Sequence, residues 1–153
     1  VKGYQLAHAA SAHGIHVAET LAGEHPPLVR QENITRCIYT RLEAASIGLS
    51  EEQAKEAGYD VKVTQSAFQG NAKALIKGEN EGIIKLVIDQ TYGEILGAFM
   101  VGPHATDLIG EVLGVKASEG TIYELSEIIQ PHPALLEAIG EGADAYFGSA
   151  IHM

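Results

Sequence analysis

The stretch that decides the fold runs Gly82-Ile83-Ile84-Lys85-Leu86-Val87-Ile88-Asp89-Gln90-Thr91-Tyr92-Gly93-Glu94-Ile95-Leu96-Gly97-Ala98-Phe99-Met100-Val101-Gly102. Two apolar runs, the first rich in β-branched residues, flank a polar turn that ends in glycine. Each run is too short for a typical helix and has the length of a buried strand. The pair is predicted to form an antiparallel hairpin.

Working toward the N-terminus, Tyr59 to Phe68 alternates. Val61, Val63 and Ala67 fall on one face, with Gln65 the exception, which is the pattern of a half-buried strand. Ser50-Glu51-Glu52-Gln53 carries a helix start, with serine at the cap, glutamine three residues on and acids in the first turn. That helix is short and stops at Gly58. Ile34 to Thr40 and Ala44 to Leu49 are two further β-type runs. Pro26 to Asn33 has linker character. Residues 4–22 are predicted helical, with Leu6, Ala10, His13, Val17 and Leu21 forming the apolar stripe.

Toward the C-terminus the texture becomes helical. Thr106 is expected to cap a helix carrying Leu108, Ile109, Val112, Leu113 and Val115. Thr121-Ile122-Tyr123-Glu124 is a capping box opening a short helix through Ile129. Pro133 is suited to the first position of a last helix bearing Leu135, Leu136 and Ile139. Helices and strands are segregated, so the expected class is α+β: an antiparallel sheet of about four to five strands flanked by helices and preceded by an N-terminal helix.

Composition narrows the function. The 153 residues hold 10 basic and 20 acidic side chains, a net charge of −10, and 46% hydrophobic residues. The length fits one domain, or one domain with a short addition. The acid excess and scattered lysines and arginines argue against nucleic acid and anionic membrane as partners. No apolar run reaches the roughly 18–20 residues needed to span a bilayer. No secretory signal is visible at Val1, so a cytoplasmic setting is expected. The chain starts without methionine, which leads us to expect that it comes from something longer. Its single cysteine, Cys37, rules out an internal redox disulfide and any zinc site built on several cysteines.

The sharpest chemical constellation is His132 with Glu137 in Gln130-Pro131-His132-Pro133-Ala134-Leu135-Leu136-Glu137. Prolines on both sides restrict the backbone around His132. A glutamate just over one turn into the following helix leans back toward the N-terminus, toward the imidazole. A carboxylate bonded to one imidazole nitrogen sets the tautomer and leaves the other as a base. The same spacing also suits a loop histidine beside a surface glutamate, and the residues alone leave both readings open. His13 and His16, with His8 on the same predicted helix, lack an evident third ligand, so no metal site is expected. No phosphate-cradling glycine motif and no Gly-x-Ser-x-Gly elbow occur.

Taken together, these segments resemble the C-terminal dimerisation (interface) domain of the dihydrolipoamide dehydrogenase branch of pyridine-nucleotide disulfide oxidoreductases. Gln5-Leu6-Ala7-His8 resembles the end of that family's FAD domain. Cys37-Ile38-Tyr39-Thr40 and Glu43 to Leu49 resemble the first hairpin of its interface domain. Gly102-Pro103-His104-Ala105-Thr106-Asp107-Leu108-Ile109 and Pro131-His132-Pro133 through Glu137 resemble two further signatures, and Gly148 to His152 resembles the closing segment.

The resemblance implies a division into 1–24, the trailing helix of an FAD-binding domain, and 25–153, the dimerisation domain. It implies that His132 is the base and Glu137 its orienting partner, supplied to the active site of the other subunit of a homodimer. It implies that Gln5, Leu6, Ala7 and His8 lie against FAD. FAD and NAD would serve the whole enzyme, which acts on a lipoyl-bearing 2-oxoacid dehydrogenase-type complex. The chain alone is expected to bind neither cofactor and to be inactive, because the redox cysteines and nucleotide motifs are missing from it. A reading of another class, an interaction module that dimerises without catalysis, shares the expected two-fold helical interface. Ala134 and Leu136 stand where the family signature has hydroxyl residues, Gln130 stands in place of a histidine, and Thr40-Arg41-Leu42-Glu43 lacks the usual proline.

Overall fold

The hairpin read at residues 82–102 is the middle of the sheet. In the computed structural model, which describes residues 3–152, the strands are β1 (Arg36–Ile38), β2 (Glu43–Gly48), β3 (Val61–Ala67), β4 (Ile83–Asp89) and β5 (Ile95–Gly102). They are hydrogen-bonded in the order β1-β2-β5-β4-β3, and every pairing is antiparallel. Among the described residues six α-helices accompany them: α1 (Ala7–Leu21), α2 (Glu51–Glu56), α3 (Ala72–Lys77), α4 (Ala105–Ala117), α5 (Ile122–Glu127) and α6 (Glu137–Phe147). The α+β expectation holds, with five strands.

The main core lies on one side of the sheet. Ile47, Ile84, Leu86, Ile88 and Met100 meet Val112, Ile122, Leu125 and Ile139 from the last three helices. A smaller cluster of Ala54, Val87 and Leu96 fills the other side beneath α2. Both faces of β4 are therefore covered over much of its length, which explains its nearly continuous apolar run. Each such aliphatic side chain contributes roughly 1.5–3 kcal/mol when fully buried.

Strand β3 departs from its expected face. Thr64 and Ser66 are its buried side chains, whereas Val61 and Val63 are half-buried on the opposite side and Gln65 is exposed. The reason is helix α6. Lys62 Nζ donates to the Tyr146 carbonyl at 2.6 Å, Thr64 Oγ1 to Gly142 at 2.7 Å and Ser66 Oγ to Ala138 at 2.5 Å. Every second strand residue thus meets every fourth helix residue, and polar side chains are buried with partners. Each such bond contributes about 0.5–1.5 kcal/mol net.

Helix ends differ from expectation where distant groups intervene. Ser50 and Thr121 form capping boxes with Gln53 and Glu124, as predicted. The cap of α4 is His104, in left-handed conformation, and not Thr106. Thr106 instead gives its N–H and hydroxyl to Glu43 Oε2 at 2.9 and 2.6 Å. Helix α5 ends at Glu127, because Ile128 turns to extended backbone. Helix α6 starts at Glu137 and not at Pro133. Asn71 Nδ2 donates to the Ala134 carbonyl at 2.9 Å, while the first N–H bonds run from Ala138 to Leu135 and from Ile139 to Leu136.

Helix α3 had no counterpart in the sequence reading. It is bounded by Asn71, whose side chain accepts the Ala74 N–H, and by left-handed Gly78. The apolar stripe read on α1 is not packed: Val17 and Leu21 are exposed, and Ala9 is the buried residue.

Candidate active site

His132 lies in the loop between α5 and α6, with Pro131 before it and a cis peptide to Pro133 after it. Glu137 is the first residue of α6, closer to the loop than the sequence reading put it. The β3–α6 ladder fixes that end of the helix, since Ser66 holds Ala138, the next residue.

The two side chains meet. His132 Nδ1 lies 2.8 Å from Glu137 Oε1, and the Ala134 N–H donates to Glu137 Oε2 at 2.7 Å. An ionised carboxylate only accepts, so the proton of a neutral His132 belongs on Nδ1 and the lone pair on Nε2. The imidazole is 70% exposed while the Glu137 side chain is 29% exposed. The imidazole is therefore open to an approaching group, and its carboxylate partner is shielded.

Partial burial pushes the Glu137 carboxyl up, and this is the largest single influence on it. The Ala134 N–H, the His132 hydrogen bond and the His132 charge together outweigh it, holding Glu137 below the ordinary glutamate value. The carboxylate stays ionised at neutral pH and stabilises an imidazolium beside it.

A cleft of about 160 Å³ adjoins the pair, lined in part by Gly70, Asn71, Glu141 and His152. Asn71 ties the loop of His132 to the start of α3 through the Ala134 carbonyl. Gln130, where the resemblance leads one to expect a histidine, donates to Glu111 on α4. Leu136, at the cap of α6, makes no side-chain cap bond. Glu137 satisfies the nearby Ala134 N–H instead, so the turn does without the missing hydroxyls.

The other residues singled out from the sequence lie elsewhere. Gln5, Leu6 and Ala7 line an open groove of about 690 Å³ along α1, with Tyr4, His13 and Val17. His8 Nε2 contacts the Thr35 carbonyl at 2.9 Å, and His16 Nδ1 contacts that of Pro27 at 3.1 Å. Those bonds dock α1 on the segment that follows it. Among the described residues no group of three or more metal-ligating side chains converges. Glu141, Asn71 and His152 escaped the sequence reading as site neighbours; the closeness of Glu141 to Glu137, one helical turn on, was the available signal for the first.

Residues 34–143 match the family profile described as pyridine nucleotide-disulphide oxidoreductase, dimerisation domain. The chain belongs to that family.

Among curated proteins it is similar to dihydrolipoyl dehydrogenase of Bacillus subtilis, 45% identical over 152 residues that make up 99% of this chain and 32% of the relative. It is 41% identical to dihydrolipoyl dehydrogenase of Zymomonas mobilis, over 96% of this chain and 32% of the relative. The chain thus spans about a third of the length of these relatives. Among solved structures, LpdA of Mycobacterium tuberculosis superposes with a TM-score of 0.86 at 22% identity, covering 94% of this chain and 31% of that one, and so shares the fold.

Proposed function

We propose that this chain is the dimerisation part of a dihydrolipoamide dehydrogenase and that His132 is the general base it supplies to the partner subunit's active site. The observation that carries the reading is the double use of Glu137. One oxygen takes His132 Nδ1, the other is anchored by the Ala134 N–H, and Nε2 is left free on an exposed ring.

The substrate is dihydrolipoamide. A thiol has an ordinary pKa near roughly 8.5, and only its thiolate attacks a disulfide. His132 Nε2 takes the proton of one thiol. The thiolate forms a bond to one sulfur of the enzyme disulfide and releases the other sulfur as thiolate. The second substrate thiol, deprotonated in turn, closes the lipoamide ring and leaves the enzyme's thiol pair reduced. Glu137 holds the imidazolium and prevents the ring from turning. The chemistry that FAD supplies when bound is two-electron transfer between that thiol pair and NAD.

Residues 1–24 would then be the trailing helix of the FAD-binding domain, and 25–153 the dimerisation domain. Gln5, Leu6 and Ala7 fit one wall of a flavin cradle, because the groove beside them is broad and open and Val17 and Leu21 of α1 are exposed; His8 turns instead to the Thr35 carbonyl. They do not enclose a flavin, so the chain alone is expected to bind neither FAD nor NAD and to be inactive. Homodimerisation through the helical C-terminal third is supported by exposed Tyr123, Ile128, Ile129 and Phe147. A lipoyl-bearing 2-oxoacid dehydrogenase-type complex is the proposed partner of the whole enzyme, in the cytoplasm.

In the full flavoenzyme subunit, His132→Ala is expected to lower dihydrolipoamide oxidation by about two to four orders of magnitude. Near-wild-type turnover would refute the assignment of the base.

A further inference from the structure

After α6 the chain reverses at Gly148, which is left-handed, and the Ser149 N–H and hydroxyl both return to the Asp144 carbonyl. The following residues run back beside the helix. There a single oxygen, Glu141 Oε2, accepts the N–H groups of Ile151 at 2.7 Å and His152 at 2.9 Å. On its other side the segment lies against the turn between β3 and α3. A Cβ placed on Gly70 would sit 2.3 Å from the His152 carbonyl oxygen, so only glycine admits the contact without movement. His152 borders the same cleft as His132, Glu137 and Asn71.

We propose that residues 149–152 are a fixed wall of the His132–Glu137 cleft and that Glu141 is the positioning residue that holds this wall in place. The proposal rests on the reading of His132 as the base and adds to it a second structural element. The segment is not held by apolar burial, because the Ile151 side chain is 80% exposed. Charge-assisted bonds to main-chain donors are the stronger kind, and here one carboxylate makes two of them to consecutive residues. The wall also brings the His152 imidazole close enough for its charge to favour the ionised form of Glu137. A substrate thiol that reaches His132 from this side passes between the wall and Asn71.

Three variants test this, read in two ways. Amide hydrogen exchange at Ile151 and His152 is expected to be slow in the wild-type chain, fast in Glu141→Ala and slow again in Glu141→Gln, whose amide oxygen still accepts both donors. In the full flavoenzyme subunit, Glu141→Ala is expected to raise KM for dihydrolipoamide on the order of ten-fold, with kcat changed less than about two-fold. Glu141→Gln is expected to restore KM. Gly70→Ala, which displaces the His152 carbonyl while sparing Glu141, is expected to reproduce the KM defect. A general loss of stability would lower kcat through the active fraction and leave KM unmoved.

Exchange at Ile151 and His152 unchanged by Glu141→Ala would overturn the clamp. Freed amides with wild-type KM would overturn the wall. Failure of the base reading is distinguishable, since it would show as full kcat in His132→Ala whatever the exchange data give.

Discussion

Replacing Glu137 by glutamine isolates the role of the carboxylate, because the structure dictates how the new amide must lie. The Ala134 N–H is a fixed donor 2.7 Å from one side-chain oxygen. If the amide NH₂ faced it, two donors would oppose each other and the main-chain group would lose its partner, at about 1–3 kcal/mol. At 1.36 kcal/mol per factor of ten, the opposite orientation is favoured by roughly five- to more than a hundred-fold.

The amide oxygen therefore turns to Ala134, and the NH₂ meets His132 Nδ1. That contact is satisfied only when Nδ1 is the acceptor, so the imidazole proton moves to Nε2. Nε2, the nitrogen proposed to take the thiol proton, then carries a proton of its own. The charge that would stabilise an imidazolium is lost as well. In the flavoenzyme subunit kcat for dihydrolipoamide oxidation is expected to fall by about 10²–10⁴. The fold should change little, since the anchor to Ala134 survives. Nitrogen NMR of the isolated chain reads the tautomer directly, with the proton on Nδ1 in the wild type and on Nε2 in the variant. A wild-type tautomer together with wild-type turnover would refute the reasoning.

Three further outcomes follow from the same contacts. Glu43→Ala removes the acceptor for both groups of Thr106 and is expected to cost about 1–2 kcal/mol in urea unfolding, the scale of a lost helix cap. The Thr106 hydroxyl and N–H hold Glu43 below the ordinary glutamate value of about 4.3, and Glu137 is likewise depressed on balance. Their stabilisation is complete above that value and is lost as pH falls through the folded values. The thermal midpoint should therefore drop between about pH 5 and pH 3, less steeply in Glu137→Gln. Burial raises Glu111 despite the Gln130 hydrogen bond, so its charge opposes folding at neutral pH. Glu111→Gln should raise the midpoint at pH 7 by about 2 °C, a gain that fades toward pH 4, as calorimetry would show.

What was legible in the sequence is what local chemistry decides. The β4–β5 hairpin, the two capping boxes and the His132–Glu137 pair each lie within a few residues of chain; the first two stand where they were read, and His132 and Glu137 meet as expected although the helix starts later. Three of the errors share a cause in hydrogen bonds that cross the fold. Thr64 and Ser66 look like the solvent face of a strand until α6 supplies carbonyls more than 70 residues away. Thr106 looks like a cap until Glu43 arrives from β2. Pro133 looks like the start of a helix until Asn71 ties up the Ala134 carbonyl. Helix α3 is six residues long, too short for periodicity, and only its capping Asn71 and terminal Gly78 mark it. The α1 stripe was a true pattern without a surface in this chain to receive it.

The contact between β3 and α6 behaves like a vernier. Two strand residues advance about 6.7 Å, and four helix residues about 6.0 Å. Two rulers of such unequal division agree over three marks, and the drift of about 0.7 Å per mark rules out a long series. The end at Lys62 has the longest and most adaptable side chain, while the end at Ser66 has the shortest. The tolerance is thus gathered far from His132, and the tightest mark sits one residue from Glu137. Sliding the helix by half a turn would put every mark out at once, so the reach of the carboxylate to the imidazole is indexed by the sheet itself.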